Sequence, residues 1–130
     1  MKGLATFCAL AFGLLPATAF AQAAQTAQAA QATSDGATVY RQRCQVCHGS
    51  AKAKPSPLGP SLSGVVGRTA ASTPFAYSAA LKASKLVWTR DNLDKYLAGP
   101  SKLVPGTRMA MSVPDAAQRS AVVSFLAKTR

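Results

Sequence analysis

RQRCQVCHGS, Arg41 to Ser50, sets two cysteines three positions apart, Cys44 and Cys47, and places His48 directly after the second. His48 is the only histidine in a chain of 130 residues. Two cysteines in an exported chain suggest a disulfide. A C-x-x-C pair also serves as a redox dithiol, but such dithiols sit in a βαβ setting, and nothing in this sequence reads as one. A structural zinc site takes four ligands, typically Cys and His. Apart from Cys8 near the start, the chain offers two cysteines and one histidine, one ligand short.

The remaining reading of C-x-x-C-H is covalent attachment of a c-type haem. The two thiols add to the haem vinyl groups as thioethers, and the imidazole beside the second cysteine is placed to ligate the iron. Covalent bonds keep the cofactor from being lost in a dilute compartment. They also give a small domain the core that its own side chains would not fill.

The chain before this motif carries no chemistry of that kind. MKGLATFCALAFGLLPATAFAQA, from Met1, opens with one positive charge, Lys2, continues through an apolar run and Pro16, and closes on Ala19-Phe20-Ala21. That is the pattern of a secretory signal peptide, expected over residues 1–21 and leaving with Cys8. Its apolar run is shorter than the roughly 20 residues of a membrane span. The alternative is an uncleaved anchor. Residues 22–34 are Ala/Gln-rich with no face to bury, and read as a flexible tail. One domain remains, residues 35–130, enough for one modest core.

The formal net charge is +11, with only four acidic residues, Asp35, Asp91, Asp94 and Asp115. Such a field speeds encounter with acidic surfaces. It would also suit a nucleic-acid or membrane-surface module, but the basic residues are scattered, no recognition motif is present, and export removes the chain from most nucleic acid.

Periodicity points to helices joined by long loops. Val39, Tyr40, Val46 and Cys47 recur near helical spacing after Asp35, predicting a helix from Asp35 to Cys47. Ser50 to Pro74 is rich in Gly, Pro and Ser and reads as loop. Thr89 is a good N-cap for RDNLDKYL, where Leu93, Tyr96 and Leu97 share a face; Gly99-Pro100 stops that helix. Ser112 and Asp115 suggest a capping box for a last helix with a Val122, Phe125, Leu126 stripe. Gly36 would let the first helix pass close to the last, with Tyr40 near Val122 and Phe125. Long loops around few helices make a poor unaided core, and make sense if haem is the core.

His48 leaves one axial side of the iron to be supplied. No second histidine exists, and once the signal has gone Met109 and Met111 are the remaining methionines. Residues two apart in an extended segment point the same way, so alternation does not choose between them.

Seven ordered blocks, GATVYRQRCQVCHG, GPSLSGVVGR, FAYS, LVWT, NLDKYLAGP, VPGTRMA and RSAVVSFL, make the domain resemble the class I cytochromes c. The resemblance covers almost all of residues 35–130 and implies an all-α cytochrome c fold around one haem c attached through Cys44 and Cys47. It implies His48 and Met109 as the two axial ligands, with Pro60 accepting the N–H of the proximal imidazole. It implies a hydroxyl of Tyr96 near the methionine sulfur, and Arg68, Tyr77, Trp88 and Thr107 as groups that bind the haem propionates. Leu81 departs from a position that is often polar in relatives, one residue is missing between Arg68 and Phe75, and Arg108 is often lysine.

The function implied is a monohaem electron carrier of the periplasm, not an enzyme, cycling between Fe(II) and Fe(III) and acting as a monomer. Its expected partners are acidic redox proteins: a quinol-oxidising complex of a respiratory chain, a terminal oxidase, a reaction centre or a periplasmic dehydrogenase. Lys52, Lys54, Lys82, Lys85, Lys102 and Arg108 are candidates for a positive docking rim. The rival from another class is a haem peroxidase or gas-binding protein with an open or labile sixth site. It wants a distal acid–base group, and this chain has no glutamate and has committed its one histidine.

Overall fold

The computed structural model describes residues 35–51 and 55–130. The expected signal and tail segments, Cys8, Lys52 and Lys54 lie outside the described residues. Six helices follow in order among the described residues: α1 Gly36–Arg43, α2 Gln45–His48, α3 Ala79–Ser84, α4 Arg90–Ala98, α5 Pro100–Leu103 and α6 Ala116–Leu126. The only ladder-like feature among these residues is an isolated antiparallel bridge, Thr69 with Val87.

Local chemistry accounts for the helix starts. The Asp35 carboxylate accepts from the Thr38 backbone N–H at the head of α1, satisfying a donor that the helix itself leaves open. Thr89 does the same for α4 through Asn92, as its sequence position predicts. At α6 the cap is Asp115, accepting from Gln118; Ser112 lies three residues earlier and plays no part, which corrects the capping-box expectation. α3 has a serine cap, Ser78 accepting from Leu81, and was not legible from periodicity because six residues hold too few apolar positions. Pro100 ends α4 and also begins α5, since a residue without an N–H loses nothing at the first helical position.

The single first helix expected from Asp35 to Cys47 is two helices. Cys44 forms a turn between α1 and α2, and its backbone N–H closes α1 onto Tyr40. The break rotates the register, so Val46 emerges 73% exposed instead of joining the buried face of Val39 and Tyr40.

α1 packs chiefly on α6, and α6 also packs on α4. The first crossing depends on Gly36, where a Cβ would stand 2.1 Å from the Ala121 carbonyl oxygen and 2.8 Å from the Phe125 Cβ. One turn on, the rings of Tyr40 and Phe125 lie 5.4 Å apart, and Tyr40 and Val122 are fully buried. The loop after α2 is fastened piecewise. The Gly67 N–H donates to the Trp88 carbonyl, the Trp88 N–H to the Arg68 carbonyl and the Ala70 N–H to the Leu86 carbonyl, and the Gly64 N–H reaches the Thr129 carbonyl at 2.8 Å.

Candidate haem site

A cavity of about 390 Å³ opens in the middle of this frame, large against native interiors, which close-pack with few voids beyond water size. Its walls are mostly apolar, with Leu81, Leu93, Leu97, Val122 and Leu126 among them. Helices α1, α2, α3, α4 and α6 and the loop after α2 all contribute side chains to this one hollow.

Cys44 and Cys47 line one part of it as unjoined thiols, Cys44 buried and Cys47 half-buried. Burial pushes the Cys44 thiol up to about 11, the nearby Arg43 opposing and Cys47 adding to the shift. His48 follows at the end of α2, where Gly49 at φ 67° turns the chain away. Its Nδ1 lies 2.8 Å from the Pro60 carbonyl oxygen. A carbonyl only accepts, so Nδ1 carries the proton and Nε2 keeps its lone pair. Burial lowers the imidazole pKa below its ordinary value, against the raising effect of the Pro60 bond, and so favours this neutral form. The loop bearing Pro60 is held to the attachment helix by Ser56, whose hydroxyl donates to the Cys47 carbonyl.

Met109 and Thr107 line the same cavity from the segment between α5 and α6, and Tyr96 lines it from α4. The Tyr96 hydroxyl lies 2.5 Å from that of Thr107, whose oxygen also accepts from the Met109 N–H at 3.4 Å. Burial raises the Tyr96 pKa, opposed by the bond to Thr107, so the phenol stays protonated. Trp88 packs on Tyr96 with ring centroids 4.9 Å apart.

Arg68 and Tyr77 complete the set, so all ten residues singled out in the sequence border one space. The Arg68 guanidinium donates to the carbonyls of Ser61 and Ser63, each at 2.9 Å, which fixes it in the wall. The Tyr77 hydroxyl pairs with Thr73, and its ring meets Phe75 edge-on. Neither Thr73 nor the two serine carbonyls carries any sequence signal. Met111 and Arg43 also border the cavity. The first has a signal, the two-residue alternation with Met109; the second has none beyond its place next to Cys44.

The donor set fits a haem. Two thiols are spaced for two vinyl groups, a neutral imidazole keeps a free Nε2, a soft thioether lies on the same cavity, and the walls are apolar enough for a porphyrin. Among the described residues no group of three or more His, Cys, Asp or Glu side chains converges as a metal cluster, so the zinc alternative stays short of its four ligands.

Comparison with known proteins gives the same answer. The family model described as Cytochrome c matches residues 33–130. Cytochrome c 2.1 of Caenorhabditis briggsae is 40% identical over 93 residues, 70% of this chain and 82% of its own length. Cytochrome c2 of Rhodopila globiformis is 39% identical over 94 residues, 71% of this chain and 88% of its own. Among solved structures, cytochrome cH from Methylobacterium extorquens aligns with a TM-score of 0.64 at 35% identity, covering 71% of this chain and 96% of that one. With thiols, imidazole and apolar hollow gathered in a helical frame of that kind, the chain belongs to the cytochrome c family and carries one haem c, bound covalently through Cys44 and Cys47.

Proposed function

We propose that this protein is a haem electron carrier of the periplasm, with His48 and Met109 as axial ligands, and not an enzyme. The observation that carries the reading is the convergence of Met109 on the cavity that Cys44, Cys47 and His48 border. When bound, haem supplies an iron that alternates between Fe(II) and Fe(III). The chain's own residues do the rest.

The Pro60 carbonyl fixes the tautomer and plane of His48 and makes it a better donor. Tyr96 and Thr107 form one hydroxyl pair beside Met109 and hold its backbone N–H. A thioether ligand, together with burial, favours the reduced state and raises the potential. Keeping both ligands in both oxidation states keeps reorganisation small. Arg68, Tyr77, Trp88 and Thr107 supply the polar edge that makes propionate burial tolerable.

Val46, exposed between the two cysteines, and Leu58, 71% exposed, give the attachment edge an apolar surface. Lys82, Lys85, Lys102 and Arg108 are exposed and contribute to the positive field. Acidic redox proteins are the partners this surface suits, among them a quinol-oxidising complex, a terminal oxidase, a reaction centre or a periplasmic dehydrogenase. No nucleic-acid role is assigned. Among the described residues no helix is long and apolar enough to cross a membrane.

The test is spectroscopic. The oxidised holoprotein should show the weak long-wavelength sulfur-to-iron band, and the reduced protein should bind carbon monoxide poorly. Ready carbon monoxide binding with no such band would replace the carrier by the open-site reading.

A further inference from the structure

Residues 108–112, the segment that carries Met109, make no backbone–backbone hydrogen bond among the described residues. A segment without bonds of its own is positioned from its ends. At the leading end Thr107 meets Tyr96, and Arg108 Nη1 donates to the Ala76 carbonyl at 2.9 Å. At the trailing end both backbone groups of Val113 are used. Its N–H donates to the Leu97 carbonyl on α4 at 2.8 Å, and its carbonyl accepts from Arg119 Nη1 on α6 at 3.0 Å. The same Nη1 reaches the Pro114 carbonyl at 2.7 Å. From the other side of the guanidinium, Nε donates to Asp94 Oδ1 on α4 at 2.9 Å.

We propose that Arg119 is a positioning residue for the distal haem ligand: with Asp94 it latches the Val113–Pro114 end of the Met109 segment to helices α4 and α6. The proposal rests on the reading of Met109 as that ligand. Three features support a latch over a decorative ion pair. The Arg119 side chain is only 13% exposed, so its charge is largely desolvated and its partners matter. Val113 is completely buried, so its carbonyl has no water to turn to. The planar guanidinium presents Nε and Nη1 in different directions, which lets one side chain tie a helix to a loop; a lysine ammonium lacks that fixed fork.

With the trailing end released, the segment swings more readily and Met109 leaves the iron more often. An external ligand that must displace Met109 reports that freedom directly. The probe is imidazole, titrated into the ferric holoprotein at a temperature where far-ultraviolet circular dichroism shows every variant folded. Arg119→Gln should bind imidazole about tenfold more tightly, the factor expected when a charge-assisted hydrogen bond to a buried group is lost. Arg119→Lys, which keeps the charge near Asp94 but not the fork, should also bind more tightly. Asp94→Asn, which keeps an acceptor for Nε, should rise by only a fewfold and serves as the measure if Arg119→Gln does not fold.

A purely structural Arg119 would lower the unfolding midpoint and leave the imidazole affinity of folded protein at the wild-type value. That result in Arg119→Lys and Asp94→Asn overturns the proposal. Met109→Ala is the control for the underlying reading, since it must bind imidazole far more tightly than wild type. If it does not, the ligand assignment is at fault, whatever Arg119 does.

Discussion

The Nδ1 of His48 stands 2.8 Å from the carbonyl oxygen of Pro60, twelve residues further along the chain, with Gly59 packed against the imidazole ring. A Cβ on Gly59 would lie 2.9 Å from that same Nδ1 and 2.9 Å from the Cys47 carbonyl oxygen. Gly59→Ala should therefore push the loop off the ring and weaken the bond that orients it. We expect a loss of about 1–3 kcal/mol in denaturant unfolding of the holoprotein, as for overpacked sites. A higher reduction potential should accompany it, because a less basic imidazole stabilises Fe(III) less. Unchanged values in both would show that the loop yields freely at this point.

Met109 and Met111 border the same cavity yet should behave differently. Met109→Ala should keep haem attached, change the iron spin state, abolish the long-wavelength sulfur band and lower the potential. Met111→Ala should do none of these. Absorption spectra and redox titration of both variants decide the matter, and exchanged phenotypes would transfer the ligand role to Met111.

A net charge of +11 makes docking to acidic proteins sensitive to salt. The Debye length falls from about 10 Å at 0.1 M ionic strength to about 3 Å at 1 M. The second-order rate of electron exchange with an acidic partner, followed by stopped flow, should drop steeply over that range. A flat profile would remove the positive rim from the docking step.

Tyr40 gives the fold a pH limit on the alkaline side. Its hydroxyl donates to the Gly49 carbonyl at 2.9 Å, and burial pushes its pKa up to about 12. An unfolded tyrosine ionises near 10. The folded state thus holds this proton more tightly, and its contribution to stability is complete below about pH 10 and is lost as pH rises through about 12. Tyr40→Phe should cost about 1 kcal/mol at pH 7 through the missing hydrogen bond. It should also unfold less steeply with pH, so the gap to wild type narrows between pH 10 and 12. Parallel urea midpoints across that window would exclude Tyr40 as the titrating group.

Lys85 closes α3 in the left-handed region, with φ 48° and ψ 21°. A side chain there costs about 1 kcal/mol that glycine avoids. Lys85→Gly should raise the thermal midpoint of the holoprotein by a few degrees, measured by circular dichroism. A fall instead would mean that the lysine side chain makes a compensating contact.

The site was more legible in the sequence than the frame that builds it. Cys44, Cys47 and His48 are consecutive enough for their chemistry to be read directly. Pro60, Tyr96 and Met109 became readable only through their family motifs, because nothing in a one-dimensional pattern brings residues so far apart onto one cavity. Arg119 gave no signal, since a guanidinium that bonds two carbonyls and a carboxylate looks in sequence like any helix-surface arginine. The break at Cys44 was missed because apolar spacing survives a one-residue turn while the direction of each side chain does not. α3 was hidden by its shortness, and α5 by a proline that stops one helix while starting another.

The bare α-carbon at Gly36 carries a consequence that reaches well past its own turn. Through it α1, the first of the described helices, lies on α6, the last of them, and α1 leads straight into Cys44. Shortening the protein by its last dozen residues would strip away Val122 and Phe125, leave Tyr40 uncovered, and so unsettle the cysteines more than half a chain away from the cut. The molecule is fastened as a loop is fastened, at a clasp, and a break beside the clasp opens the whole ring.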